Sequence, residues 1–463
     1  MDHRNPDPLD DGPRYPQPPQ HQSAPQPQYA PNHRVPQLQQ YSVNQQVPPN
    51  MQAPAVVTQK PSFHHTGVKE RILAPDVARG FMLLGIAVAN AVTAWLMLGS
   101  PASGRERTLP TDDAVTIIND VLVHTRGLPM FATLFGYGIG MLVMREYARG
   151  VPWPRARGLL LKRYGWLALF GVVHAIFLFF GDILLTYALM GLIVTFLVPL
   201  RNKTLLWIAG VLGVLSIGVG FLMGGAMGSM GATGAAGAAG GGFDGIPMLG
   251  DGYVGKQLVI GAITVVSAPI VVAMAGPQLM ALMILGVVAA RMRLLEDSAS
   301  HVRHLTVVAA VGAGAALVTG VLSGLSKLGV IGGTWAQGLS QAAGIVAGPG
   351  IIALIALLCL PVQRRIREAA ARGETLAPPL PLAMLQSLGQ RSMSGYVAQS
   401  VLFLVLAGGW MLDLFSGESV TIVSLWATGV WLVTLIAAWL LAKAGQPGPL
   451  EALHRRLTYG KKS

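Results

Sequence analysis

From about residue 70 onward, long apolar runs alternate with short charged stretches. A helix needs roughly 20 apolar residues to cross the hydrocarbon core of a bilayer. Runs approaching or exceeding that length occupy 78–99, 128–145, 164–181, 183–200, 204–224, 257–290, 305–324, 342–360, 394–413 and 421–442. They predict an all-α, polytopic transmembrane bundle of about ten spans. The run at 257–290 is long enough for a span plus an interfacial or re-entrant piece, and Pro269 and Pro277 interrupt it. One crossing is expected there, because two would break the charge pattern below. Thr111–His124 reads as a short amphipathic helix with Val115, Ile118, Val121 and Leu122 on one face, lying on the outer surface before the second span. The Gly/Ala/Met-rich stretch 225–256 reads as a flexible outer loop.

Charge sets the orientation. Lys69, Arg71 and Arg79 flank the start of the first run, and Arg145, Arg149, Arg155, Arg157, Lys162 and Arg163 lie between the second and third. Arg201 and Lys203, then Arg291, Arg293 and Arg303, then Arg364, Arg365, Arg367 and Arg372, follow in alternate loops, and Arg455, Arg456, Lys461 and Lys462 come last. The opposite loops carry mainly acids: Glu106, Asp112, Asp113, Asp244, Asp251, Asp413 and Glu418. Basic loops stay cytoplasmic, so both termini are expected inside. Residues 1–65 are rich in Pro, Gln, Asn and His with little aliphatic periodicity. That composition reads as a disordered cytoplasmic tail, without a signal-peptide pattern, ahead of a membrane domain at 66–463.

Composition narrows the function classes. Only 12% of the 463 residues are charged and 52% are hydrophobic, against roughly 25% charged in soluble domains. The formal net charge of +12 first suggests nucleic acid. The basic residues, however, sit in loop clusters between apolar runs, so the expected partner is the lipid bilayer and not nucleic acid. The single cysteine, Cys359, excludes intramolecular disulfides and cysteine-based zinc sites. No Walker-type phosphate loop, His-Glu-x-x-His helix or G-x-S-x-G elbow is present, and no metal is expected.

Candidate chemistry lies in polar groups placed inside the apolar runs, where burial demands a partner or a role. Asp76 and Arg79 share a helix face at the cytoplasmic entrance and suit either an ion pair or an anionic headgroup or phosphate. A helix-start cap and a basic anchor is the alternative. Asn90 falls mid-membrane, where it needs a hydrogen-bond partner. His124, Thr125 and Arg126 precede the second span on the outer side, where an imidazole is a general-base candidate or simply an interfacial residue. The glycines of Phe135-Gly136-Tyr137-Gly138-Ile139-Gly140 read as helix packing. His174, Asp182 and Tyr187 form the richest ionisable group: Asp182 can fix the tautomer of His174 and raise its basicity, or the three can form a structural network. Gln386, Arg391, Tyr396 and Gln399 enter the ninth span and can line a polar inner cavity or anchor the interface.

The stretches PDVARGFMLLGIAVAN, GLPMFATLFGYGIGM, LFGVVHAIFLFFGDILLTYALMG, MALMILGVVAARMRLL, LGQRSMSGYVAQS and GPLEALHRRLTYG together resemble the bacterial DUF418 (YeiB-like) membrane family over about residues 70–460. The lysine-poor composition suggests a high-GC bacterium and a plasma-membrane location. That family is distantly similar to transmembrane acyltransferases of the heparan-glucosaminide acetyltransferase type. The resemblance implies acyl transfer from cytoplasmic acyl-CoA to an envelope sugar or lipid across the membrane. In that group a histidine on the non-cytoplasmic side, between the first two conserved helices, is the proposed base. His124 occupies a similar place here, although its flanking residues differ. The expectation is that acyl-CoA docks near Asp76, Arg79 and Arg391, with Asn90, Arg126, Tyr187, Tyr396 and Gln399 as further binding candidates. His174 or His124 then removes the acceptor proton, with Asp182 orienting the base. The rival reading, from the same residues, is a transporter or lipid-handling protein without covalent chemistry.

Overall fold

The computed structural model describes residues 72–95, 108–232, 253–408, 411–415 and 418–460. The tail at 1–65 lies outside the described residues, as does most of the stretch expected to form the outer loop. The described residues are all-helical. In chain order the helices are α1 (Leu73–Asn90, extended by a π-helical turn Ala91–Trp95), α2 (Asp112–Leu122), α3 (Gly127–Ala148), α4 (Trp153–Phe177), α5 (Leu184–Leu197) and α6 (Asn202–Ala232). There follow α7 (Tyr253–Arg291), α8 (Val302–Lys327), α9 (Trp335–Ala371), α10 (Leu380–Gln390), α11 (Ser392–Ala407), α12 (Val420–Lys443) and α13 (Pro449–Tyr459).

Each of the expected apolar runs is helical, but they differ in length. Among the described residues seven segments are long and apolar enough to cross a membrane: α1, α2 with α3, α4, α6, α8, α9 and α12. The arms of α7, Gln257–Ala273 and Gly276–Arg291, meet at 69° and count as an eighth if they form one span; Pro277, just past the bend, removes a backbone donor there. The expected fourth and ninth spans shorten to α5 and α11, of 14 and 16 residues. At 1.5 Å per residue these reach about 21 and 24 Å, short of a ~30 Å core. The outer-loop expectation at 225–256 is corrected at its start, because α6 runs on to Ala232.

Helix ends are set by local chemistry. Pro152 and Pro154 start α4, Pro449 starts α13, and the Ser419 hydroxyl caps α12 by accepting from the Ile422 N–H. The free N–H of Leu73 at the start of α1 donates to Gln363 Oε1 on α9 at 2.9 Å.

Hydrogen bonds gather alternate loops at opposite ends of the helices. At one end Arg291 donates to the Leu200 carbonyl and Asn202, Arg367 to the Glu296 carbonyl, and His454 Nε2–H to the Arg163 carbonyl. Glu451 accepts there from the Met393 and Ser394 backbones. At the other end Lys327 pairs with Asp120, and Asp112 accepts from Thr421.

α2 is amphipathic as expected, but it docks with its polar side. Asp112, Asn119 and Asp120 are buried against α8 and α12, while Ile118 and Leu122 point outward. The exposed pair suits contact with lipid chains.

Small residues decide the packing. A β-carbon at Gly136 would meet the Met283 backbone, and one at Gly286 the Thr133 carbonyl, so α3 and α7 touch backbone to backbone as the alternating glycines imply. Gly80 and Gly389 do the same for α1 and α10, where a β-carbon at Gly389 would fall 1.7 Å from the Asp76 carbonyl oxygen.

Candidate functional site

α4 ends at Phe177 with His174 in its last turn. The chain then reverses tightly. Gly181 has no room for a side chain, because a β-carbon there would lie 2.6 Å from the folded-back Phe179 ring. A second glycine, Gly171, lets the start of α5 press onto α4, where a β-carbon would fall 2.3 Å from the Leu185 nitrogen. These two close approaches bring Asp182 back over His174.

The result is a linear relay. His174 Nδ1 lies 2.8 Å from Asp182 Oδ1. His174 Nε2 lies 2.9 Å from Ser400 Oγ on α11. Asp182 is held in turn by its other oxygen, Oδ2, which accepts from the Leu185 N–H at 2.6 Å in the first turn of α5. His174 is 2% exposed, Asp182 8% and Ser400 3%. His174 Nδ1 and Asp182 Oδ1 are close enough to pair as ions, but neither makes a hydrogen bond of ordinary geometry among the described residues; in the tautomer with its proton on Nδ1, the Nε2 lone pair faces the serine hydroxyl.

Tyr396 stands one helical turn before Ser400, its ring tilted over the imidazole at 4.9 Å between centroids. Its hydroxyl is buried, makes no hydrogen bond of ordinary geometry among the described residues, and has the Ile183 backbone and Asp182 for neighbours. Gln399 donates to Thr434 Oγ1 on α12, and its Oε1 is buried without a partner among the described residues.

The remaining sequence candidates occupy other places. Tyr187 donates to the Leu128 carbonyl at 2.7 Å and packs edge-on against Phe131, pinning α5 to the start of α3. His124 lies in a separate cluster with Asp120, Arg126 and Lys327, so Asp182 is partner to His174 and not to His124. Arg126 is fully buried. It donates to the carbonyls of Val121, Ala316 and Ser340 and to the hydroxyls of Thr125, Thr319 and Ser340. At the basic end Asp76 and Arg79 form an ion pair at 3.1 Å, and Gly138 leaves room for the guanidinium. Arg391 donates to the carbonyls of Ser387 and Gln446. Asn90 is half-buried where α1 passes into its π-helical turn. Among the described residues no group of three or more His, Cys, Asp or Glu side chains is arranged to hold a metal.

Two residues escaped the sequence reading. Ser400 was visible as the i+4 neighbour of Tyr396 on one helix face, but a serine inside an apolar helix is common and carried no further mark. Asp120 sits on the buried side of α2, accepting from Ser323 at 3.0 Å and Lys327 at 2.9 Å. Its signal in the sequence is weak, because the apolar residues of that helix form the clearer pattern.

Comparison with known proteins adds family context. The model of the family described as "Protein of unknown function (DUF418)" matches residues 289–461, from the end of α7 through α13. That match contains Arg391, Tyr396, Gln399 and Ser400 but not His174 or Asp182. The uncharacterized protein YxaH of Bacillus subtilis (strain 168) is 32% identical over 151 residues, covering 31% of this chain and 37% of YxaH. The uncharacterized protein YeiB of Escherichia coli (strain K12) is 34% identical over 127 residues, covering 27% of this chain and 30% of YeiB. The chain thus spans about a third of the length of the curated relatives it matches. Over its C-terminal region this membrane protein is similar to the DUF418 family, YxaH and YeiB among its relatives.

Proposed function

We propose that this protein is a membrane-embedded acyltransferase of a bacterial plasma membrane. It passes an acyl group from acyl-CoA to a hydroxyl or amine of an envelope sugar or lipid. The observation that carries this reading is the buried imidazole of His174, with a carboxylate on one nitrogen and a hydroxyl on the other. Asp182 fixes the tautomer and stabilises the imidazolium formed when Nε2 takes a proton, which is the arrangement general-base chemistry requires. Exclusion of water strengthens both interactions. The donor's phosphates approach at the basic end near Arg79, whose side chain remains 25% exposed beside Asp76.

The test is acyl transfer from radiolabelled acyl-CoA to envelope extract by purified protein. His174→Ala should lower the rate about 10²–10⁴-fold while the protein extracts and melts like wild type. Full transfer by His174→Ala would overturn the reading.

A further inference from the structure

We infer that Ser400 is the first acceptor of the acyl group, so that transfer proceeds through a covalent acyl-serine. This rests on the acyltransferase reading above and adds a step to it.

Three observations carry the assignment. The first is the direction of the serine's single proton. Ser400 Oγ lies 2.9 Å from His174 Nε2 but 3.4 Å from the Tyr396 carbonyl one turn back, so the imidazole is its better acceptor. The usual fate of a serine inside an apolar helix, bonding to its own backbone, is the weaker contact here. The second is order. Asp182 is held by the Leu185 N–H, His174 Nδ1 lies 2.8 Å from its other oxygen, and Ser400 is on a helix and not on a loop. A nucleophile, a base and an acid thus stand in line, the serine 226 residues from the histidine in sequence. The third is Tyr396. Its buried hydroxyl makes no ordinary hydrogen bond among the described residues, although it lies next to this relay. Such a donor is costly to bury without a partner, and an oxyanion forming on a carbonyl at Ser400 supplies one.

The chemistry closes without another reagent. Ser400 Oγ attacks the thioester carbonyl; the C–O bond forms, the C–S bond breaks, and the serine proton passes through His174 Nε2 to the departing thiolate, releasing the CoA thiol. The acceptor hydroxyl or amine then attacks the acyl-serine. Its new bond to the carbonyl carbon forms as the bond to Oγ breaks, and its proton returns through Nε2 to Ser400. Nothing is oxidised or reduced.

The experiment uses the full chain in detergent with radiolabelled acetyl-CoA or palmitoyl-CoA and no acceptor. The expected result is label on the denatured protein, mapped by mass spectrometry to Ser400 and released by alkaline hydroxylamine. Ser400→Ala should abolish the label, whereas Ser392→Ala keeps it. Ser400→Cys, which preserves a nucleophile in place, should give a label that neutral hydroxylamine removes. Acyl transfer to envelope extract at the wild-type rate by Ser400→Ala, with no label on Ser400 in wild type, overturns the covalent step and leaves His174 acting directly on the acceptor. Label on His174 in place of Ser400 overturns it equally. Wild-type protein that neither consumes acyl-CoA nor takes up label overturns both this step and the acyltransferase reading.

Discussion

Two buried polar clusters in this protein look alike in composition and differ in use. Arg126 ties the α2–α3 junction to α8 and α9, and His174 ties α4 to α5 and α11. Around Arg126 every hydrogen-bond partner accepts: carbonyls and hydroxyls surround the guanidinium, with His124, Asp120 and Lys327 nearby. Around His174 the contacts run from acceptor through a titratable ring to a hydroxyl. The first arrangement holds helices together. The second also holds them, through the Asp182 bond to α5, but it adds a carboxylate and a hydroxyl on the two nitrogens of one imidazole. Burial alone therefore does not mark a site; the chemical order of the partners does.

The comparison breaks if the two clusters respond alike to substitution. Asp182→Asn leaves an amide that can donate to Nδ1 and force the wrong tautomer, so acyl transfer should fall about 10⁴-fold, as tautomer loss does in serine hydrolases. The melting temperature in detergent should change little. A large drop in melting temperature with activity per folded molecule intact would make the relay structural. Arg126→Met should do the reverse. It strands the carbonyls of Val121, Ala316 and Ser340, costing about 1–3 kcal/mol, visible as a lower melting temperature, while the specific activity of the folded fraction stays within a few fold.

Packing without any polar network sets the next scale. Gly389→Ala places a methyl against the Asp76 carbonyl and should destabilise by about 1–3 kcal/mol. Gly85→Ala, on the same α1 but facing open space, should be neutral or better, since alanine favours the helix. Equal melting temperatures for the two variants would refute the close approach of α1 and α10.

The smallest effect is expected at His454 on α13. Burial holds its imidazole neutral, with its pKa below the ordinary 6.5. Because the docked form takes up a proton less readily than the undocked one, docking is at full strength above pH 6.5 and weakens as pH falls below it. Protection factors of the α13 amides, with the intrinsic slowing of exchange at lower pH divided out, should therefore fall between pH 7 and 5.5 more than those of α12, and His454→Gln should flatten the difference. A pH-independent ratio would count against it.

The sequence alone determined what the solvent demands. Apolar runs in a lipid-compatible chain must be helical, because backbone groups cannot go unpaired in hydrocarbon; each such run is a helix here. Basic residues recur at every second loop, and the hydrogen bonds of Arg291, Arg367 and His454 bring those loops to one end. The glycines at 136, 138 and 140 announced close packing, and His174 with Asp182, eight residues apart across a turn, announced a pair. What the tertiary structure alone decided is lateral. Hydropathy fixes how deep a residue sits but not which neighbour it faces, so nothing in the sequence separated Arg126 from Arg79, or showed that α2 docks by its acids. The same limit hid Ser400. It meets His174 across 226 residues of chain, through the packing of two helices whose contact no local pattern encodes.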